Sequence, residues 1–363
     1  MTATALELHL CNVITTHGPL TMARYMAEAL GHPEHGYYMT RDPFGAPGDF
    51  ITAPEISQMF GELIGAWCAD VWMKMGAPPM VHLVELGPGR GTLMKDALRA
   101  TRRVPGFHEA LSIHLVETSP RLRETQATSL ESQSVRWHDT TTDVPEGPLI
   151  VIANELFDAL PVHQFQFTEG QWHERLVEVS QEGAGLRLVL DPAPNKSKTL
   201  RRFVQPNDSA IAEICPAGVA LVEHIVERVV RDTGAALIID YGHAASGYGD
   251  TVQGVRDHAT QSIFEAPGMV DLCAHVDFAA LAEAGRAGGA TIWGPVSQST
   301  FLSQLGLNAR AATLTNASPT DAKDIAAATH RLTHADEMGT LFKVLGFSKA
   351  SLHPAGFDSR DPI

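Results

Sequence analysis

The middle of the chain alternates short apolar runs with amphipathic runs. Apolar runs rich in β-branched residues predict strands at residues 81–86, 111–117, 134–138, 148–153 and 235–242. Helical patterns follow the first two runs, at 92–100 and 120–130. Strand–helix alternation of this kind is typical of a parallel sheet with right-handed crossovers. The pattern therefore predicts an α/β fold built on a doubly wound, Rossmann-like sheet.

The first 79 residues have helical periodicity instead. Thr21 precedes a segment in which Met22, Tyr25, Met26 and Ala29 fall on one helical face, and Thr is a favoured N-cap residue. A turn-rich stretch follows, and a second helical pattern covers 55–75. These patterns predict an N-terminal helical region over residues 1–79.

Residues 162–214 change to a period of two. VHQFQF and WHERLVEV alternate apolar and polar positions around Glu169-Gly170, which predicts a β-hairpin, and residues 186–190 form a candidate third strand. We therefore predict an inserted antiparallel β region at 162–214 that receives a partner or substrate, within a core of 80–161 and 215–363. The Ser/Thr/Asn-rich segment 313–318 predicts a loop.

The composition excludes several classes of protein. The 363 residues are 44% hydrophobic and contain no apolar run long enough to span a membrane, so membrane insertion is not expected. The net charge is −15 and no basic cluster is long enough to follow a phosphate backbone, which argues against nucleic acid and favours a basic protein partner. The first residues resemble neither a secretory signal nor a transit peptide, which predicts a cytoplasmic protein.

Cysteine and histidine spacing predicts no metal site. The four cysteines lie far apart and form no CxxC pair, so a disulfide framework or a structural zinc site is not expected. None of the seventeen histidines occurs in an HExxH or similar ligand spacing.

The segment VELGPGRG carries the clearest chemistry. An apolar strand ends at Glu85 and leads into Gly87, Gly89 and Gly91, with a helical pattern behind them. A dinucleotide fingerprint requires G-x-G-x-x-G, whereas the spacing here is G-x-G-x-G with a preceding acid. That arrangement is the pattern of class I methyltransferases, and its carboxylate suits the cationic methionine portion of S-adenosylmethionine better than a pyrophosphate. The segment predicts an S-adenosylmethionine site.

Polar residues at the ends of later strands extend this site. Glu117 follows the second strand, and a carboxylate can accept hydrogen bonds from both hydroxyls of a ribose. His138 and Asp139 end the third strand and are candidates for contacting the adenine. Residues beyond the strand ends of a doubly wound sheet line its ligand crevice.

The segment NELFDALP follows the fourth strand. Asn154 and Glu155 lie beside the expected position of the methyl group, and Asp158 is three residues further on. In a helical turn the two carboxylates would share a face and bind a guanidinium by charge-assisted bonds. Asp158 is alternatively a charge that stabilises a helix N-terminus. Methyl transfer requires in-line placement of a nucleophile and no covalent enzyme intermediate.

Longer motifs resemble one family. The segments RDPFGAPGDFITAPEISQMFGELIGAW, ELGPGRGTLMKDALR, VETSPRLRETQ, NELFDALPVHQF, IDYG and MGTLFKVLGF are similar to the MidA family, in the family's order and over almost the whole chain. That family includes a mitochondrial complex I assembly factor that acts as a protein arginine methyltransferase. The lack of its import segment predicts a bacterial-type member.

The resemblance implies roles that the residues alone do not give. It implies that four residues fold over the cofactor and close the site: Gly48, Asp49, Phe50 and Thr52. It also implies that the Asn154-Glu155 segment is catalytic and that Asp240 and Tyr241 border the pocket. The expected substrate is an arginine ω-nitrogen of a respiratory complex I subunit or a similar protein.

Two other functions fit the same motifs. A small-molecule O- or N-methyltransferase is possible because this fold serves many acceptors. A cofactor-binding assembly factor without turnover is the other alternative. A homodimer is compatible with either function.

Overall fold

The computed structural model describes residues 3–41, 51–180 and 185–357. The α-helices in these ranges are α1 (Ala5–His17), α2 (Met22–Gly31), α3 (Tyr37–Thr40), α4 (Ala53–Ile56), α5 (Gln58–Lys74), α6 (Thr92–Thr101), α7 (Phe107–Ala110), α8 (Pro120–Ser129), α9 (Pro216–Asp232), α10 (Phe278–Ala287), α11 (Gln298–Gln304), α12 (Leu307–Ala317), α13 (Ala322–Thr333) and α14 (Met338–Leu341).

The strands in the same ranges are β1 (Leu20–Thr21), β2 (Val81–Leu86), β3 (Leu111–Val116), β4 (Val135–His138), β5 (Leu149–Asn154), β6 (His163–Thr168), β7 (Gln171–Val179), β8 (Leu186–Pro194), β9 (Ile211–Ile214), β10 (Gly234–His243), β11 (Gln253–Arg256), β12 (Ala259–Gln261), β13 (Asp271–Cys273), β14 (Val276–Asp277), β15 (Thr291–Ser297) and β16 (Phe342–Ser348). The described chain divides into two compact units.

The larger unit contains residues 51–157, 221–244 and 278–357 and is built on the predicted sheet. Its strands follow the order β15-β16-β10-β5-β2-β3-β4. Strands β4, β3, β2, β5 and β10 are parallel, and β16 is antiparallel to both of its neighbours. The strand order reverses between β2 and β5, and such a switch point leaves a crevice outside the carboxyl ends of the strands. The α/β fold is confirmed.

Two completely buried strands form the centre of this sheet. Every residue of β2 and of β5 is buried, which explains their continuous apolar sequence. One face packs against α5 through side chains such as Phe60, Ile64 and Trp67. The helical pattern expected over 55–75 is divided between α4 and α5, because Ser57 adopts an extended conformation and caps α5 through the Met59 N–H.

The smaller unit contains residues 3–41, 158–180, 185–220 and 245–277. Its main sheet has the order β1-β7-β6-β9, and β8 pairs with β7 as an antiparallel strand, so the expected third strand is present. Glu169 and Gly170 both have positive φ, of 51° and 79°, as a two-residue hairpin turn requires. Strand β1 pairs with β7, which places part of the N-terminal region in the sheet of the insertion. The boundaries of the two compact units therefore differ from the predicted boundaries at residues 79, 161 and 214.

Two further expectations have clear outcomes. The loop predicted at 313–318 is wrong, because residues through Ala317 belong to α12 and Ser318 ends that helix. The helix after Thr21 is confirmed, and its first turn is capped by the Thr21 side chain, which accepts from the Arg24 N–H. Among the described helices, none has both the length and the apolar character needed to cross a membrane.

Candidate functional site

The glycine-rich turn between β2 and α6 adopts left-handed backbone conformations. Gly87, Gly89 and Gly91 have φ of 61°, 53° and 78°. Side chains other than glycine rarely adopt these angles, so the G-x-G-x-G spacing is required by the local geometry. Gly91 is the N-cap of α6. The turn thereby brings backbone N–H groups of a helix start to the carboxyl edge of the sheet, where a polar ligand can bind them.

Glu85 is a buried acid at the end of β2. It is 3% exposed, and its Oε2 atom has no hydrogen-bond partner among the described residues. Burial raises the pKa of this carboxyl group to about 8, although a hydrogen bond from the Met94 backbone opposes the rise. A buried acceptor without a partner is costly in a folded protein unless a ligand supplies the donor. Glu85 therefore fits the role of receiving a cationic ligand group.

We expect Glu85→Gln to stabilise the cofactor-free protein above about pH 5. The folded-state pKa of about 8 lies above the ordinary 4.5, so the unfolded chain releases this proton at lower pH. The free energy of unfolding of the wild type should therefore fall between about pH 4.5 and about pH 8, and the glutamine variant should lack that component. Urea unfolding of both proteins from pH 4 to pH 9 measures the difference.

Glu62 provides the matched control for this experiment. It is also buried, but it forms ion pairs with Arg99 and Arg310, and their hydrogen bonds lower its pKa against the effect of burial. Glu62→Gln should therefore destabilise the protein over the same pH range. A Glu85→Gln protein that loses stability as Glu62→Gln does would contradict the assignment of Glu85 as a buried acid with no ion-pair partner among the described residues.

Glu117 lies immediately after β3 and is held on both carboxylate oxygens. The Ser119 N–H donates to Oε1 at 2.8 Å, and Gln126 Nε2 donates to Oε2 at 3.2 Å. Burial raises the pKa of Glu117, and these hydrogen bonds oppose the rise. The Thr118 backbone N–H also donates to this carboxylate, which is the kind of acceptor that binds the two hydroxyls of a vicinal diol.

Gln126 is a site residue that the sequence analysis missed. This side chain of α8 is fully buried, and its amide nitrogen donates to the Gly89 carbonyl oxygen at 2.8 Å as well as to Glu117. Its amide oxygen accepts from Trp137 Nε1 at 2.9 Å. Gln126 thus connects the glycine turn, Glu117 and β4. The sequence does contain an indication of this role. Gln126 lies four residues after the apolar Leu122, so the two side chains share one face of the helix, and this polar side chain is buried there with Leu122.

We expect Glu117→Ala to weaken binding of S-adenosylhomocysteine by about 1–3 kcal/mol, the range for loss of hydrogen bonds to a charged group. Calorimetric titration gives the dissociation constant directly. Glu109→Ala is the matched control, because Glu109 is an exposed acid just before β3, at the opposite end of the same strand. Equal affinities for the two variants would reject the assignment of Glu117 to the ribose.

His138 and Asp139 lie beside Glu117 but differ in their surroundings. The His138 carbonyl oxygen accepts from the Glu117 N–H at 3.0 Å, so the ends of β3 and β4 are adjacent. Asp139 is 76% exposed and pairs with Arg123 at 2.6 Å. Arg123 Nε also donates to the Glu117 carbonyl oxygen at 2.7 Å. His138 is the more enclosed of the two candidates for contacting adenine.

Asn154 and Glu155 form a strained corner at the end of β5. Glu155 has a φ of 50°, an unusual value for a residue with a side chain. Its Oε1 atom accepts from the Ala53 N–H at 2.8 Å and from Asn154 Nδ2 at 3.0 Å. Thr52 is the N-cap of α4, next to this contact. The Asn154 Oδ1 atom is buried and has no partner among the described residues.

Asp240 holds the backbone of this corner in place. It is fully buried, and its Oδ2 atom accepts from the N–H groups of Leu156 and Phe157 at 3.1 and 2.8 Å. Its Oδ1 atom accepts from the Tyr241 N–H at 2.9 Å. The sequence placed Asp240 at the border of the pocket only through a family resemblance. Its role in fixing the segment after Glu155 is a result of the structure.

For some of the predicted site residues, the described part of the structure gives no contact with this site. Gly48, Asp49 and Phe50 lie outside the described residues. Asp158 belongs to the smaller unit, where its carbonyl oxygen accepts from the Ala274 N–H at 2.9 Å. The pairing of Asp158 with Glu155 therefore stays a prediction.

One cluster in the smaller unit has the composition of a metal site. Ligand atoms of His9, Glu28 and His32 lie within 4.8 Å of one another. However, His32 Nδ1 accepts from the backbone N–H groups of Glu34 and His35, which leaves the ring proton on the nitrogen that would bind a metal. Glu28 also forms an ion pair with Arg24. The hydrogen bonding disfavours a metal ion at this cluster.

Comparisons with known proteins identify methyltransferases. Residues 63–296 match a family model described as "Putative S-adenosyl-L-methionine-dependent methyltransferase". The chain is 40% identical to "Protein arginine methyltransferase NDUFAF7, mitochondrial" of Danio rerio, across 83% of this chain and 76% of that protein. It is 38% identical to the Homo sapiens protein of the same name, across 83% of this chain and 73% of that protein.

A solved structure supports the same grouping. A Burkholderia thailandensis protein, crystallised with bound S-adenosyl-homocysteine, superimposes with a TM-score of 0.85 at 28% identity, covering 99% of this chain and 95% of that one. The similarity confirms the predicted fold class.

The comparisons also correct one prediction. The expected cytoplasmic location is wrong by this test, because these relatives are named as mitochondrial proteins. The prediction relied on the composition of the first residues, which does not identify a compartment.

Proposed function

The chain belongs to the family of S-adenosyl-L-methionine-dependent methyltransferases, and from that premise we propose that its acceptor is an arginine side chain of a protein. The cofactor predicted from the Glu85–Gly91 segment is confirmed by the family and by the S-adenosyl-homocysteine complex of the similar structure. The arginine acceptor rests on the names of the relatives and on the strained carboxylate corner at Glu155.

The residues at the carboxyl edge of the sheet fit S-adenosylmethionine. We assign the methionine portion to the glycine turn and to Glu85, whose buried Oε2 has no donor in the part of the chain that the structure describes. Glu117 would bind the ribose, with Gln126 fixing its carboxylate against the Gly89 carbonyl. Another buried acceptor without a partner among the described residues, Asn154 Oδ1, lies at the end of the adjacent strand. When bound, the cofactor supplies an electrophilic methyl group on a sulfonium sulfur.

Glu155 is the residue that we propose to act on the acceptor. Its carboxylate is anchored on one oxygen by Ala53 and Asn154. A carboxylate forms strong, directional hydrogen bonds to a guanidinium and so orients one nitrogen toward the methyl group. The nitrogen that gains the methyl carbon loses one proton, and Glu155 is the nearby base to receive it. The product then retains a single positive charge.

The acidic net charge of −15 fits a basic protein substrate. A respiratory complex I subunit, implied by the MidA resemblance, is the substrate class to examine first. Homodimer formation also stays a prediction, and sedimentation velocity measures it directly.

The experiment is a methyl-transfer assay with labelled S-adenosylmethionine and the protein fraction of a lysate that lacks the enzyme. We expect labelled protein, with the label recovered as methylarginine after acid hydrolysis, and loss of labelling with Glu155→Gln. Label confined to small molecules would identify the alternative class of acceptor. Binding of S-adenosylhomocysteine without any transfer would indicate an assembly factor that has no turnover.

A further inference from the structure

Three histidines form a hydrogen-bonded row across the sheet, and the function described above does not use them as a group. His82 lies on β2, His114 on β3 and His138 at the end of β4. His82 Nδ1 is 3.0 Å from His114 Nε2, and His114 Nδ1 is 2.8 Å from His138 Nε2. His82 and His114 are buried, whereas His138 is only partly so.

The row runs diagonally toward the cofactor edge. His82 is in register with Ser112, two residues before His114, and His114 is in register with Arg136, two residues before His138. Each step therefore advances by two residues toward the carboxyl ends of the parallel strands. The far end of the row is anchored at the Glu146 carbonyl oxygen, 3.1 Å from His82 Nε2.

This anchor determines which nitrogen of each ring carries the proton. A carbonyl oxygen only accepts, so the proton of His82 is on Nε2 and its Nδ1 is an acceptor. His114 then donates from Nε2, with the Ser112 hydroxyl oxygen as a second neighbour at 2.9 Å, and its Nδ1 accepts. His138 in turn donates from Nε2. Its Nδ1 atom is left with a lone pair and without a hydrogen-bond partner among the described residues.

The surroundings keep these rings neutral. Burial is the largest effect on each one and lowers the pKa of His82 and His138, and that of His114 to about 3. Arg136 and, for two of the rings, Arg228 add to the lowering, whereas Asp143 opposes it at His138. Neutral rings are required because a protonated His138 would present a donor at Nδ1.

We propose that the histidine row fixes His138 Nδ1 as a hydrogen-bond acceptor for the 6-amino group of the cofactor's adenine. The proposal rests on S-adenosylmethionine binding at this edge, with the ribose at Glu117. The next strand end beyond Glu117 is that of His138, which the 3.0 Å bond between the Glu117 N–H and the His138 carbonyl places alongside. An adenine presents a donor at position 6, whereas a 6-oxopurine presents an acceptor that an acceptor repels. His138 would thus determine base specificity, and His82 and His114 would be positioning residues.

Calorimetric titration with S-adenosylhomocysteine and with S-inosylhomocysteine tests the specificity. We expect the wild type to prefer the adenosyl compound, and we expect His138→Ala to reduce that preference about tenfold, the effect of one hydrogen bond of about 1.4 kcal/mol. His138→Asn should preserve much of the preference, because the asparagine oxygen can occupy the position of Nδ1. His353→Ala is the control, since His353 is exposed and packs on Trp293 of β15.

The outcomes separate two failures. A wild type that binds neither compound would overturn the proposed cofactor site. Tight binding of S-adenosylhomocysteine with an unchanged preference in His138→Ala would overturn the base-recognition proposal alone.

The tautomers are tested by ¹⁵N NMR of the full-length protein labelled at histidine. We expect His138 Nδ1 to have the ¹⁵N chemical shift of an unprotonated imidazole nitrogen. We also expect this resonance to move when S-adenosylhomocysteine is added. His82→Leu removes the anchor at Glu146 while leaving the His138 ring in place. It should lower the base preference and introduce a second tautomer of His138. A protonated Nδ1 in the wild type, or an unaltered tautomer and preference in His82→Leu, would refute the role of the row.

Discussion

Replacing Gly87 by valine should abolish detectable binding of S-adenosylhomocysteine while the protein remains folded. Gly87 has a φ of 61°, and a β-branched side chain is strongly disfavoured there. A built Cβ atom would also lie 2.9 Å from Leu156 Cδ1, although that atom is the end of a flexible side chain. The backbone is therefore the main obstacle. Relief of the strain, about 1–2 kcal/mol or more for a residue with a Cβ, would move the turn and its N–H groups away from the ligand.

Gly76→Val separates this effect from general destabilisation. Gly76 also has a positive φ, of 86°, and a Cβ atom there would meet no heavy atom within 4 Å. It follows α5 and precedes β2, at the opposite end of the strand from the glycine turn. Both variants should lose similar thermal stability, and only Gly87→Val should lose calorimetric binding. Full affinity in Gly87→Val would refute the assignment of the turn to the cofactor.

Asp240→Asn should reduce kcat by about 100-fold, the scale reported for displacement of a reacting group by about 1 Å. The asparagine has one acceptor oxygen, whereas Asp240 accepts from Leu156 and Phe157 on one oxygen and from Tyr241 on the other. At least one buried N–H then faces an amide NH₂ group, at a cost of about 1–3 kcal/mol. We expect the corner at Glu155 to relax from its φ of 50° and the carboxylate to leave its position beside Ala53.

The experiment measures kcat and the dissociation constant of S-adenosylhomocysteine for Asp240→Asn. A residue that positions Glu155 should affect kcat far more than cofactor affinity. Ile292→Ala is the control for stability: Ile292 is a buried residue of β15 at the far edge of the sheet, and its truncation costs about 2–5 kcal/mol. A control of equal or lower stability that retains kcat would show that the loss in Asp240→Asn comes from the corner. Equal losses of kcat in both variants would sink the positioning role.

Local sequence patterns were sufficient to predict the first strand of the cofactor motif and the hairpin of the inserted β region. The strand at 81–86 was predicted with its observed bounds, and the turn at Glu169-Gly170 was predicted as a hairpin. The segment 313–318 failed because its polar residues are those of a solvent-facing helix, and polarity by itself does not separate such a helix from a loop.

The contacts within the candidate site depend on residues distant in the sequence. Ala53 and Glu155 are 102 positions apart, Leu156 and Asp240 are 84 apart, and Gly89 and Gln126 are 37 apart. Leu156 meets Asp240 because neighbouring parallel strands end at one edge of the sheet, whereas Ala53 and Gln126 reach that edge from the helices α4 and α8. Sequence spacing contains no information on which partner a buried carboxylate or amide will find.

The sequence by itself determined the α/β fold, the S-adenosylmethionine cofactor and most of the strand ends that bear the candidate residues. Those features follow from periodicity and from glycine spacing, which act within one strand–turn–helix unit. Only the tertiary structure decided the anchoring of Glu155 by Ala53, the bridging by Gln126 and the direction of the histidine row. These arise from side chains of separate strands and helices, and their geometry is fixed by strand register and burial.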